Sequence, residues 1–271
     1  VWQCFLRGKL KLKVEKIFVG DKVLLQPLEE NKAIVEEILE RKNVLERPPI
    51  ANADQAIIVS AVSEPAFNAL TLDNLLIMTL KEKIRPLLVF NKIDMNPQEG
   101  EELYKIYTEI GFDAFKVSCK HKIGIEELKE KLKDKISVIA GVSGVGKSSL
   151  LKCLEPDFDF IETGEVSSKT KRGRHTTKYV TLFSLDTGGL VADTPGFSHL
   201  QLPFVEPEKL SDFFPEILKF KGDCRFPDCL HWHEPGCAVK EALGKEIHPW
   251  RYDHYLHFLK QLKERERRFY A

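Results

Sequence analysis

The stretch Gly141-Val142-Ser143-Gly144-Val145-Gly146-Lys147-Ser148-Ser149 carries the clearest chemistry in the chain. Its glycines let backbone N–H groups turn inward around phosphate oxygens. Lys147 would reach the β- and γ-phosphates of a nucleotide, and the Ser148 hydroxyl would ligate Mg²⁺. Asn91-Lys92-Ile93-Asp94 supplies a base reader. The two oxygens of Asp94 can accept from the N1–H and the N2 amine of guanine; adenine would leave them unpaired. Asn91 and Lys92 would brace that loop. Backbone N–H groups of Ser118-Cys119-Lys120 would complete the pocket near the guanine O6. In Asp193-Thr194-Pro195-Gly196, Asp193 would hold Mg²⁺ through water and the Gly196 amide would sense the γ-phosphate. Residues 163–178, rich in Gly, Ser, Thr and basic side chains, suit a switch loop that orders on a ligand, with Thr177 or Thr176 as a Mg²⁺ ligand.

A second constellation is Cys224-x₄-Cys229-x-His231-x₅-Cys237. Three thiolates and one imidazole in a closed set suit structural Zn²⁺. His233 competes with His231 for the fourth place, and spacing alone does not choose between them. Cys4, Cys119 and Cys153 are isolated, so the cysteines suit a reducing compartment and one metal site better than a disulfide framework. No apolar run approaches membrane-span length and the first residues lack a signal-peptide pattern, which predicts a cytoplasmic protein. The 41 basic and 41 acidic residues balance, so net charge selects no polyanion partner.

These residues need elements to position them. Ile136–Ala140, the phosphate loop and a helix over 148–154 give the strand–turn–helix context the loop requires. Apolar runs over 56–62, 86–90 and 114–117 read as buried parallel strands. Amphipathic patterns predict helices over 70–83, 99–110 and 125–135, and residues 179–185 and 189–193 predict a hairpin. The middle of the chain, 49–204, is therefore a doubly wound α/β domain. Before it, residues 1–48 form a first unit. Lys9, Lys11 and Lys13 alternate with apolar residues as on a strand with one basic face. Phe18-Val19 and Val23–Leu25 predict a strand pair; residues 33–40 are helical by propensity and a strand by their all-β company. A small barrel of the OB type, which often binds nucleic acid, fits this unit, as does a merely solvated basic face. Residues 205–271 form a third unit holding the cysteine cluster and a charged helix over 249–269. Its Arg265, Arg267 and Arg268 suit RNA phosphates, although Glu264 and Glu266 interrupt the basic run.

The motif order is permuted. In ordinary GTPases the phosphate loop comes first and the guanine reader late; here Asp94 precedes Gly141. A parallel sheet tolerates such a cut if packing is preserved. One consequence is that Asp193–Gly196 leads directly into the C-terminal unit.

With these motifs the chain resembles the RsgA (YjeQ) family of circularly permuted GTPases. Other carriers are Arg7-Gly8-Lys9, Gly20-Asp21, Arg47-Pro48, Ala51–Gln55, Arg172–Thr177 and Glu234–Cys237. The resemblance spans nearly the whole chain. It implies an N-terminal OB-fold β-barrel, a circularly permuted P-loop GTPase domain and a C-terminal helical zinc-binding domain. It also implies GTP hydrolysis stimulated by the small ribosomal subunit, and His231 as the zinc ligand. Action is expected late in subunit maturation, with the basic residues Arg7, Lys9, Lys11 and Lys13 contacting ribosomal RNA. Phe197 stands where Ras-like enzymes place a water-orienting glutamine. His175, beside the two threonines, is the candidate to orient water; contact with RNA is its other reading. A monomer is expected, because each flanking unit has a partner other than itself.

Overall fold

The computed structural model describes residues 2–8, 16–28, 31–46, 49–155, 181–193 and 202–270. Near its start, β1 (Gln3–Leu6), β2 (Val23–Pro27) and β3 (Lys32–Ile38) form a three-stranded sheet in the order β1-β3-β2. β1 runs parallel and β2 antiparallel to β3. The ambiguity at 33–40 resolves to strand: Ala33 and Val35 are buried on one face, a period of two that overrides the helical propensity of Glu36 and Glu37. Phe18-Val19 does not pair with Val23–Leu25; Val19 bridges instead to Ile50. These three strands are what the described residues hold of this unit's sheet, and Lys9, Lys11 and Lys13 lie outside the described residues.

A short hairpin, β4 (Val44–Glu46) with β5 (Pro49–Ala51), spans the expected boundary at 48/49. Leu45 and Ile50 both bury themselves in the core of the next unit, so the junction is packed. Residues of the Ala51–Gln55 motif fasten it. Asn52 Nδ2 donates to the Gly20 carbonyl (3.0 Å) and Asn52 Oδ1 accepts from the Lys42 amide (2.8 Å). Asp54 accepts from the Ile136 amide (2.9 Å), and Gln55 Nε2 reaches the Lys131 carbonyl (3.0 Å).

The central sheet is built by β6 (Gln55–Ala61), β7 (Arg85–Asn91), β8 (Asp113–Val117), β9 (Ile136–Ala140), β10 (Thr181–Ser184) and β11 (Leu190–Asp193). Their order is β10-β11-β9-β6-β7-β8, all parallel except β10. Counted from β9, this order reads 2-3-1-4-5-6. The strands are apolar on both faces because both faces are covered. Ile58, Leu88 and Phe90 pack under α1 (Ala69–Lys81) and α2 (Pro97–Ile110). Ile57, Val59, Leu87 and Val89 pack under α3 (Ile125–Leu132) and α4 (Lys147–Leu154). α2 starts two residues before the predicted Glu99, because Asn96 caps it and Pro97 occupies its first turn. α3 stops three residues early: Asp134 takes φ 55° and turns the chain into β9.

The C-terminal unit has its own core, with Leu210, Phe214, Ile217, Val239, Tyr255, Phe258 and Leu259 buried. A 3₁₀ helix (Pro207–Phe213), α5 (Pro215–Lys221), the cysteine loop, α6 (Ala238–Glu241) and α7 (Pro249–Tyr270) enclose it. Ile77 of α1 joins this core, so α1 faces the sheet with Leu72, Leu75 and Leu76 and the C-terminal unit with Ile77. No helix among the described residues is long and apolar enough to cross a membrane.

Candidate functional site

Strand order reverses between β9 and β6, where the carboxyl ends open the crevice that parallel sheets use for ligands. The phosphate loop leaves β9 at that point. Gly141 adopts φ 141°, and a Cβ there would sit 2.4 Å from the Val59 carbonyl oxygen. Gly146 caps α4 with φ 96°, and a Cβ there would meet Asn91 Nδ2 at 2.3 Å. Both positions therefore demand glycine on two counts, backbone conformation and space. Lys147 Nζ lies over the loop, donating to the carbonyls of Gly141 (2.9 Å) and Val142 (2.8 Å).

The base reader is tied to this loop by its own side chains. Asn91, at the end of β7 and buried, donates through Nδ2 to the Val145 carbonyl (2.9 Å). Lys92 Nζ donates to the carbonyls of Gly144 (3.0 Å) and Glu64. Asp94 is fixed by a 2.6 Å hydrogen bond from Ser118 Oγ, which in turn accepts from the His121 amide (3.2 Å). That bond, its own backbone amide, and the nearby His121 and Lys120 hold the Asp94 carboxyl below the usual carboxylate range, against partial burial. A charged acceptor thus faces the space where a base edge would lie. The walls enclose about 450 Å³, within the range of small-ligand pockets, and include Asp94, Cys119, Lys120, Gly146 and Ser149. Burial pushes the Cys119 thiol up to about 12, so it is a neutral wall.

Sequence reasoning missed three members of this wall, Met95, Lys152 and Cys153. Ser149 and Cys153 are four apart on α4, and that helical spacing was the available signal. Cys153 Sγ donates to the Cys119 carbonyl (3.5 Å). Val142, Ser143 and Ser148 belong to the same loop and helix start. β11 ends at Asp193, whose backbone is in the sheet. His175, Thr176, Thr177 and Gly196 lie outside the described residues.

In the C-terminal unit the donor atoms of Cys224, Cys229, His231 and Cys237 all lie within 4.8 Å of one another. His231 Nδ1 is 3.5 Å from the sulfurs of Cys224 and Cys237, which are 4.0 Å apart. A tetrahedral Zn²⁺ with ordinary bond lengths sets ~3.5 Å between nitrogen and sulfur and ~3.8 Å between sulfurs, so the cluster fits that ion with little movement. His233 is exposed and stacks on Trp232, away from the cluster. The loop is held by Glu234, whose carboxylate accepts from the amides of Leu230 (3.1 Å), Trp232 (2.8 Å) and His233 (3.0 Å). Tyr252 and Tyr255 of α7 donate to the His231 and Leu230 carbonyls (2.7 and 2.9 Å).

Of the expected RNA-facing residues, Arg7 is exposed in an ion pair with Glu36 (2.9 Å), and Arg267 and Arg268 are exposed. Arg265 donates to the Leu202 carbonyl (2.6 Å), anchoring the chain where the described residues resume after the 194–201 segment.

A third polar cluster escaped the sequence entirely. Asp73 of α1 accepts from Arg251, from Tyr107 OH (3.0 Å) and pairs with His254 Nδ1 (2.6 Å). Arg251 Nε also reaches Glu216 (2.5 Å), and its guanidinium lies over the Phe214 ring at 4.6 Å. Arg251 and Asp73 are 1% and 0% exposed. Burial works against the Arg251 charge, but Asp73 and Glu216 outweigh it and keep the group protonated. Burial, then Asp73, raises the Tyr107 hydroxyl well above its ordinary value. This cluster joins the nucleotide-binding unit to the C-terminal unit.

Comparison with known proteins agrees with the permuted arrangement. The family model described as RsgA GTPase matches residues 38–203. Proteins named small ribosomal subunit biogenesis GTPase RsgA from Carboxydothermus hydrogenoformans and Moorella thermoacetica are each 44% identical to the chain. The first alignment covers 98% of this chain and 92% of that protein, the second 99% and 93%. The crystal structure of YjeQ from Thermotoga maritima superposes with a TM-score of 0.82 at 40% identity, over 96% of this chain and 89% of that one. YloQ, described as a circularly permuted GTPase, gives 0.82 at 35%, over 97% and 87%. With its motifs in permuted order, its sheet intact and relatives along nearly its full length, the chain belongs to the RsgA GTPase family.

Proposed function

We propose that this chain is a GTP hydrolase that binds the small ribosomal subunit late in its maturation, GTP favouring binding and hydrolysis favouring release. Family membership makes it a GTPase; the ribosomal role is drawn from the names of the relatives. The observation that carries the nucleotide reading is Asp94, aimed by Ser118 and joined to the phosphate loop through Asn91 and Lys92. That linkage fixes base reader and phosphate cradle relative to one another, as recognition of a single nucleotide requires.

The chain's own groups divide the work. Amides of 141–149 and the α4 N-terminus hold the phosphates, Lys147 adds charge, and Asp94 selects guanine. Mg²⁺, held by Ser148, by Thr177 or Thr176 and by Asp193 through water, would neutralise charge between the β- and γ-phosphates. His175 orients the attacking water in place of the glutamine that Phe197 replaces. Cys224, Cys229, His231 and Cys237 hold one structural Zn²⁺, and the fit of their donor atoms supports this. The N-terminal sheet is part of an OB-type barrel, and with Lys9, Lys11, Lys13 and the end of α7 it meets ribosomal RNA. The protein works as a cytoplasmic monomer.

The deciding experiment is GTP turnover with and without purified small subunits, with ATP as control. Strong stimulation confined to GTP is expected. Tight GTP binding with no stimulated turnover would favour a scaffold whose nucleotide only reports its state, and Phe197 would be the reason. Equal use of ATP would overturn the role of Asp94. His175→Ala should abolish the stimulated rate while leaving GDP affinity unchanged; an unchanged stimulated rate would remove His175 from catalysis.

A further inference from the structure

The cysteine loop presents a surface that its metal-holding role does not require. Trp232 and His233 stack with ring centroids 4.3 Å apart and planes 26° apart. Lys260 and Lys263 of α7 bring their ammonium groups to 5.9 and 5.7 Å from the Trp232 ring centre. Among the described residues neither lysine has an ion-pair partner, so their charge is spent only on the indole. Glu264 and Glu266 lie on the same helix without pairing to them, and Glu234, the acid next to the ring pair, is consumed by three backbone amides. Those same three bonds make the knuckle rigid, so its two rings are held in place before any partner arrives. Lys260, Lys263 and the exposed Arg267 are spaced i, i+3, i+7, one stripe along α7 starting at the ring stack. On the same loop Arg225 lies over the partly exposed Phe226 ring at 5.5 Å.

Aromatic planes beside uncompensated ammonium groups match one chemistry well. An unpaired nucleobase adds a further layer to a ring stack, and the phosphates on either side of it meet the cations. We propose that Trp232 and His233 form a stacking platform for an unpaired base of RNA, with Lys260 and Lys263 binding the adjoining phosphates. An exposed imidazole on top of an indole is the open face of that platform. This goes past the proposed ribosomal role by naming the kind of RNA contacted, single-stranded and not duplex, and the residues that contact it, and it rests on that role for the source of the RNA. It also moves the basic surface of α7 away from Arg265, whose guanidinium is engaged by the Leu202 carbonyl.

The test uses the full chain, loaded with zinc and a non-hydrolysable GTP analogue, against two probes: intact small subunits and protein-free small-subunit RNA. His233→Ala should weaken binding to both about tenfold, the loss of one base stack. His233→Phe, which keeps a plane, should bind within about twofold of the parent. Lys260→Gln with Lys263→Gln should lower the slope of log affinity against log salt by about 1.4, two phosphates of a single strand. Zinc content and subunit-free GTP turnover should stay unchanged in all of these, since none of the residues touches metal or nucleotide. Parent-like binding of His233→Ala to both probes would overturn the proposal, as would failure of His233→Phe to restore it. A loss on subunits with none on protein-free RNA would also overturn it, assigning the face to a protein. If the parent fails to bind subunits at all, the ribosomal reading fails, while the RNA arm still decides the platform.

Discussion

Two aspartates in this chain are held in place by short hydrogen bonds and put to opposite uses. Asp94 takes one bond from Ser118 at 2.6 Å and keeps its carboxylate facing a cavity, 18% exposed. Asp73 is 0% exposed and spends its oxygens on Arg251, Tyr107 and His254. The first is a tool: the Ser118 bond aims it, with help from its own backbone amide, and it still faces the cavity with acceptor capacity for a ligand. The second is a fastener, with nothing left to offer a ligand. A carboxylate's role follows from how many acceptor sites the fold leaves unspent, more than from its burial or its charge.

The largest effect should come from breaking the fastener on one side only. Arg251→Met removes the cation and leaves Asp73 and Glu216 as buried anions without compensation, a loss of ~3–5 kcal/mol in stability. Urea unfolding should show it, with the C-terminal unit lost first, because α7 and α5 are the elements that Arg251 joins to α1. Adding Asp73→Asn and Glu216→Gln to Arg251→Met should recover most of that loss, since neutral groups no longer need the cation. Equal destabilisation of the single and triple variants would show that packing, not charge balance, holds the junction.

Next comes the tool itself. Asp94→Asn replaces two acceptors with one acceptor and one donor, so the N1–H and N2 amine of guanine lose one partner and meet a repelling amide. Two charge-assisted bonds at ~1.5–2 kcal/mol each predict a hundred- to thousandfold loss in GDP affinity. Xanthosine diphosphate, with a carbonyl where guanine has an amine, should bind the variant better than GDP does. Unfolding should barely change, because the asparagine oxygen can still accept from Ser118 Oγ. That contrast with Arg251→Met is the comparison in measurable form.

Legibility from sequence divides along the same line. The tool is readable because each motif is contiguous: a loop that must approach phosphate closely writes its glycines side by side, and the base reader is four residues long. Even the permutation survives reading, since it reorders motifs without breaking any. The fastener is unreadable because its members are 35, 178 and 181 residues apart and none has an unusual neighbour. Asp73 sits in a helix whose pattern reads as ordinary amphipathicity, and His254 looks like one more aromatic-rich helix residue. Ala33–Glu40 failed differently. Its propensity and its packing disagree, and only the burial of Ala33 and Val35 settles the strand. Zinc ligation lies between these cases. Spacing proposes the set and leaves His231 and His233 open; the family resemblance points to His231, and the fold puts it in the cluster and His233 on the Trp232 ring.

A smaller effect isolates the single bond that aims the tool. Ser118→Ala leaves the Asp94 charge in place and removes only its orientation, which predicts a loss of ~1 kcal/mol, about fivefold in GDP affinity. pH then sharpens the point. Ser118 and the local amides stabilise the charged form of Asp94, so its carboxyl titrates below the ordinary range. For a depressed carboxyl the contribution of the charged form is complete above the ordinary value and is lost only as pH falls through the lowered one. The ratio of parent to Asp94→Asn affinity for GDP cancels the titration of the nucleotide's own phosphates. That ratio should stay flat from pH 8 to the ordinary carboxylate range, about 4, and collapse below it. In a Ser118→Ala background the collapse should begin at a higher pH, because the hydrogen bond that most stabilises the charged form is gone. An unshifted collapse would mean that the amides and neighbouring cations, not Ser118, hold Asp94 charged, and that its aim and its charge are controlled by separate groups.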